Sequence, residues 1–317
     1  MDSFYDFQRA KHLLDAAQAD RNQMFLKQSR SLIVDRNGDL EIRHYSNPHS
    51  YRVTNREDHE HPNSPLEETI FRLQGVVYER ELPPMMASSR VYARKQAPYL
   101  RQHIGIVGLG LPYMSTAVDQ LYQILSKFQR ALNGQTLNPW TADSSFGPGH
   151  IGITANCRYF TVGSGASTKQ SLPFQDGVDP DGILQSLVTS TMVHTEDNSV
   201  LYMKASKSGL KWRYTDIPPA DISIGDVVEI QFTIRTIRQR DSSYKMIMIL
   251  RSVALLDDSV STAASVARNR AFSLRKDPPI TQRNLLKRVK YEDSSDEEDV
   301  REHLRVHRDM AGLRIGN

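Results

Sequence analysis

Apolar residues recur at helical spacing near the start of the chain. Phe4, Phe7, Ala10, Leu14, Ala17 and Met24 fall on one stripe, and Ser3 is placed to cap the first turn, which predicts an amphipathic helix over 3–27. A shorter period follows over Ser31–Tyr45, where "LIV" and "LEIRHY" flank the turn "DRNGD", the pattern of a hairpin. Residues 47–65 lose periodicity and read as a polar loop of prolines, histidines and charges. "ETIFRLQGVVYERE" and "SSRVYARKQ" then read as strands on either side of a Pro-Pro loop. "HIGIVGLGLPYM" leads into the strongest helical stripe, Val118, Leu121, Tyr122, Leu125, Phe128 and Leu132, over 115–133, ended by Asn133-Gly134.

Beyond residue 150 the pattern turns to strands around one short helix. "IGITANCRYFTVG", "SVLYMKAS" and "KWRYTDI" alternate, and Asp179-Pro180 supplies a cap and a first-turn proline for a helix over 180–190. The longest alternating runs are 226–238 and 244–256, joined by "QRDSS". Both are apolar on each face near their middles, as in a strand pair wrapped into a barrel or covered sheet. From Ser259 the strand signals stop. Arg268–Lys290 holds eight basic residues against Asp277 alone, and "EDSSDEED" supplies six acids over 292–299. Adjacent blocks of opposite charge predict a disordered tail. The expected fold is therefore α+β: a mostly antiparallel sheet or partly open barrel built on the 226–256 hairpin, with peripheral helices at 3–27, 115–133 and 180–190. Four segments are expected: 1–65, 66–149, a β-rich core unit at 150–258, and the tail 259–317.

Composition narrows the classes. Hydrophobic residues make up 39% of the 317, enough for a real core, and the net charge of +3 gives no whole-protein steering toward nucleic acid or membrane. Cys157 is the single cysteine, so no intrachain disulfide forms, which fits a reducing compartment. Asp2, Asp6, Asp15 and Asp20 interrupt any apolar signal core. The longest uncharged apolar stretch, Ile104–Val118, is shorter than the about 20 residues a bilayer span needs. No membrane partner is expected, and the location expected is the nucleus or cytoplasm.

Several stretches imitate catalytic or cofactor chemistry without completing it. Gly108-Leu-Gly110 follows an apolar strand and precedes a helix, as a dinucleotide loop does, but Tyr113 stands where a third glycine would pack the helix on the strand. "DRNGDLEI" starts like a calcium loop through Asp35, Asn37 and Asp39, yet Leu40 replaces the bend glycine and Ser46 the bidentate glutamate. "DHEH" at 58–61 and "HTED" at 194–197 lack a matching distal ligand, and turn capping accounts for the second. No hydrolase, zinc-protease or P-loop signature is present. No catalytic residue, cofactor, metal or small-molecule ligand is assigned. An enzyme of unrecognised class would have to use His194, Glu196, Asp197 or Cys157.

Binding chemistry is better represented. Basic residues interleave with rings through the β-rich unit, and Trp212, Tyr214, Arg235, Arg238 and Lys245 are the candidates for a single-stranded nucleic-acid surface, with phosphates tracked by cations and bases stacked on rings. The same pattern also describes a solvated sheet face with cross-strand packing of its aromatics. In the tail, Lys287, Arg288 and Lys290 fit a short basic nuclear import signal. Ser294 and Ser295 each have an acid three residues on, the pattern of acid-directed phosphorylation. The reading is a non-enzymatic interaction module. Its alternatives are an enzyme of unrecognised class and a protein-interaction scaffold using the N-terminal helix.

The segments "CRYFTVG" (157–163), "LPF" (172–174), "GVDPDGIL" (177–184), "VHTEDNSVLY" (193–202), "IGDVVE" (224–229) and "YKMIMILRSVALLD" (244–257) resemble a family of uncharacterised proteins found in many copies in mushroom-type fungi. The resemblance covers residues 150–257. That family has no assigned activity, so the resemblance implies no site residues.

Overall fold

The computed structural model describes residues 1–22, 29–33, 37–46, 49–55, 68–86, 94–147, 149–163, 170–175, 177–209 and 211–274. In chain order these form α1 (Phe7–Asn22), β1 (Arg30–Ser31), β2 (Leu40–Ser46), β3 (His49–Asn55), β4 (Ile70–Glu81), β5 (Arg101–Val107), α2 (Pro112–Ala131), β6 (Gly152–Arg158), β7 (Thr161–Val162), β8 (Met192–Val193), β9 (Leu201–Ser208), β10 (Lys211–Asp216), β11 (Val227–Arg238), β12 (Tyr244–Asp257) and α3 (Ser259–Leu274). Residues Met1–Ala271 make one compact unit.

The long hairpin β11–β12 organises that unit, because β-branched and aromatic residues alternate along both strands. Val228, Ile230, Phe232 and Ile234 point inward and meet Leu255, Val253, Leu250 and Met248 across the pair. β11 then pairs with β4, β4 with β5, β5 with β6, and β6 returns to β12 through the parallel pair Asn156–Ile249. The five strands form a ring-like sheet that is not a closed barrel, since one registered pair carries the β6–β12 seam. Segments 66–149 and 150–258 thus contribute strands to the same ring. Two hairpins extend it. β2–β3 attaches to β11 at Arg52–Arg235, and β9–β10 attaches to the far half of β12.

α2 supplies Met114, Ala117, Val118, Leu121, Ile124 and Phe128 to the core that the ring encloses. Its start is a tight glycine turn. A Cβ on Gly108 would lie 2.6 Å from Met114 Cβ, and Gly110 has φ +76°, so both positions need glycine for geometry. α1 buries Ala10, Leu14 and Arg21, leaving Phe4 and Phe7 of the predicted stripe about two-fifths exposed. A second small cluster, Leu100, Tyr159, Phe160, Val178, Ile183 and Leu184, packs the long β6–β9 connection.

Details differ from expectation in several places. Of the strand expected over "SSRVYARKQ", residues 88–93 lie outside the described residues and residues 94–96 are helical. The hairpin partner of 40–46 is 49–55, which lies in the stretch expected to be loop, because Tyr51 and Val53 alternate through its polar residues. The stretch 180–190 makes a one-turn 3-10 helix at Gln185–Leu187, with the Asp179 carboxylate accepting from the Gln185 amide at 2.8 Å. Residues 259–274, expected in the tail, form α3. The signals at Lys287, Arg288, Lys290, Ser294 and Ser295 lie outside the described residues, as does "DHEH". Among the described residues no helix is long and apolar enough to cross a membrane.

Candidate functional site

On a strand, alternate residues share a face, and directly paired residues share it across strands. Following these pairings from β5 to β2 shows which polar side chains decorate the outer face of the ring. Arg101 of β5 is paired directly with Arg158 of β6, both exposed. Two steps along, His103 pairs with Asn156, which pairs with Ile249 of β12. Ile249 pairs with Thr233 of β11, and the next residue on that face, Arg235, pairs with Arg52 of β3, which pairs with Arg43 of β2. Arginines therefore stand directly opposite arginines at both ends of one continuous face. Like charges directly opposed across strands destabilise a sheet.

At the first end, partial desolvation of the otherwise exposed Arg158 side chain pushes its guanidinium below its ordinary range, Arg101 pushes the same way, and Tyr99 opposes them. Tyr99 is 49% exposed in the loop before β5. Its hydroxyl accepts from Arg240 at 3.2 Å, in the turn between β11 and β12, so two loops distant in sequence meet beside the Arg101–Arg158 pair. At the other end Arg52 bonds Glu68 at 2.7 Å and stacks over the Tyr45 ring at 4.1 Å, and Arg251 of β12 reaches the same carboxylate at 3.8 Å. Among the described residues Arg235 Nε has no hydrogen-bond partner. Burial lowers the Arg235 pKa, Arg251 and Arg52 lower it further, and Glu68 works against them. One glutamate thus serves three arginines.

Of the residues expected from the sequence, Arg235 and Lys245 share this outer face, since Lys245 is two residues from Ile247, the direct partner of Arg235. Arg238 bonds Ser242 within its own turn. Trp212 and Tyr214 lie elsewhere. They flank Arg21 of α1, whose guanidinium sits 5.3 and 5.7 Å from their rings while it pairs with the buried Glu229. Their strand joins β9, which runs beside residues 252–255 of β12. Lys245 lies about ten residues back along β12, roughly 33 Å at strand rise. The expected five residues do not make one surface. Arg240 belongs to the basic run the sequence pointed to, whereas Arg43, Arg52, Tyr99, Arg101, Arg158 and Arg251 were missed, because cross-strand opposition is invisible until register is known.

The residues considered for catalysis are engaged structurally. His194 Nδ1 is 2.8 Å from the Tyr159 carbonyl, its ring stacks on Phe174 at 4.2 Å, and burial lowers its pKa. Thr195 and Asn198 form a capping box around the turn that holds Glu196 and Asp197. The Cys157 thiol is buried, donates to the Asp197 carbonyl, and is pushed up to about 11 by burial. Asp39 pairs with Arg30 at 3.2 Å. Among the described residues no group of three histidines, cysteines or acids converges for a metal.

No protein-family model matches the chain. No curated protein matches it either. Among solved structures it is similar to the crystal structure of gp2.5, a single-stranded DNA-binding protein encoded by bacteriophage T7, with 13% identity and a TM-score of 0.35, over 60% of this chain and 92% of that one. At that level the neighbour's activity does not transfer.

Proposed function

We propose that the chain binds single-stranded nucleic acid across the outer face of its ring, from the Arg101–Arg158 pair toward the Arg43–Arg52–Arg235 row. The observation that carries this is the placement of Arg101 and Arg158 opposite each other on β5 and β6, with Tyr99 and Arg240 meeting beside them from two loops. The strand order supports it. Counting β4 as first strand, the ring runs first, second, third, fifth, fourth and back to first, with third and fifth parallel. That is the arrangement of the small Greek-key barrels that bind oligonucleotides over their second and third strands and the loops between first and second, and fourth and fifth, strands. Here those strands are β5 and β6, and those loops hold Tyr99 and Arg240. A phosphate between opposed guanidiniums removes their mutual repulsion, and a half-exposed tyrosine offers a ring for a base.

A fluorescence-anisotropy titration of a labelled single-stranded oligonucleotide tests this in the full chain. Binding is expected at low salt and weakens as salt rises. R101E/R158E is expected to lower affinity tenfold or more, and Tyr99→Ala by about 1–3 kcal/mol, the range for one stacked base. Trp212→Ala is expected to leave binding unchanged. Absence of binding at low salt, or equal affinity of R101E/R158E and wild type, overturns the reading.

The scaffold reading centred on α1 meets an obstacle in the fold. Ala10, Leu14 and Arg21 of α1 are buried in the unit, so removing the helix uncovers core as well as any docking surface.

A further inference from the structure

We propose that His44 and His49 form a chelating site for a divalent transition-metal ion, with copper(II) the preferred one, on the face of the β2–β3 hairpin opposite the arginine row. The register sets the faces. His44 pairs with Tyr51 and Ser46 with His49, so positions 44, 46, 49 and 51 share one side, while Arg43, Tyr45 and Arg52 occupy the other. Both imidazoles are exposed, which leaves them open to a hydrated ion.

Their nitrogens already converge. His44 Nε2 lies 3.0 Å from His49 Nδ1, with ring centroids 4.5 Å apart. Two nitrogens bound at about 2.0–2.1 Å in cis positions stand about 2.9 Å apart at a right angle and about 3.3 Å apart at a tetrahedral one. The observed spacing falls between these, so chelation needs a turn of the rings and no movement of the strands. His44 packs on Tyr51 at 5.0 Å, and the hydroxyl of the buried Tyr244, 3.4 Å from His49 Nδ1, gives up that contact when the nitrogen takes an ion. Two cis imidazoles with water in the remaining positions suit tetragonal copper(II) or nickel(II) better than the closed four-ligand shell of structural zinc. The affinity order of such sites places copper above nickel and zinc.

The chain has ten histidines, so stoichiometry alone does not decide the matter and substitution does. Calorimetric titration of the full chain with copper(II) is expected to show one tightest ion, weaker binding of nickel and zinc, and a tenfold or greater loss of that copper site in both His44→Ala and His49→Ala. Electron paramagnetic resonance of the one-equivalent complex should show nitrogen ligation that each variant reduces. Oligonucleotide affinity should stay at the wild-type value in both, since the arginines lie on the other face. Copper binding that is equally tight in the two variants, or absent from wild type, overturns the site.

Discussion

Asp226 is 1% exposed, and its carboxylate accepts from the Ser223 amide at 2.7 Å and from the Ser261 hydroxyl, tying the turn before β11 to the first turn of α3. Burial raises its pKa above the ordinary carboxylate value, and Asp258 adds to the rise while the two donors restrain it. A carboxyl whose folded pKa is raised contributes stability that is fully present below the unfolded pKa and lost as pH rises through the folded one. At neutral pH the ionised Asp226 therefore costs stability. Asp226→Asn should raise the thermal midpoint at pH 7, with a gain that shrinks as pH falls toward 3. A wild type more stable than the variant at pH 7 would refute this sign. The glycine turn shows what a single residue can disclose. Gly108 and Gly110 imitated a phosphate loop in the sequence, yet Gly108 is small because Met114 crowds it and Gly110 because its φ is positive.

Helix α1 is held to the ring by more than apolar packing. Arg21 donates through Nε to Glu229 at 2.8 Å and through a second nitrogen to the other carboxylate oxygen, with both side chains 1% exposed. Gln74 also donates to Glu229. Burial would lower the Arg21 pKa, but the bonds and charge of Glu229 more than offset it and the pKa rises. Removing one member of a buried pair strands a charge in low dielectric, at a cost of about 3–5 kcal/mol, whereas replacing both with apolar residues is often near neutral. Glu229→Gln should therefore destabilise far more than the double change Arg21→Met with Glu229→Leu, measured by urea unfolding. Equal losses in the two variants would show that the pair is not the anchor. Sequence periodicity placed this helix correctly within 3–27 but offered Phe4 and Phe7 for its buried face. The residue that docks it is an arginine, which no hydrophobic pattern selects.

At the scale of the molecule, a net charge of +3 describes the sum and hides the arrangement. Acids cluster around Asp226 and Asp258 near α3, while the face running from Arg101 to Arg43 carries opposed arginines. Each single-stranded phosphate neutralised contributes about 0.7 to the slope of log affinity against log salt. R101E/R158E should flatten that plot by roughly 1.4 if each arginine meets one phosphate. An unchanged slope would place the contact elsewhere on the chain.

What the sequence determined by itself was periodicity. The alternation in 226–238 and 244–256 is strong enough to specify a long hairpin, and the stripe over 115–133 specifies a helix, because each side chain there responds mainly to its own burial. Tertiary structure decided everything that depends on register and closure. Which arginine faces which follows from strand register, and that Tyr99 meets Arg240 and that Trp212 and Tyr214 turn toward Arg21 follow from packing between elements far apart in sequence. A one-residue slip in register would invert every one of those faces, and no local pattern records that register.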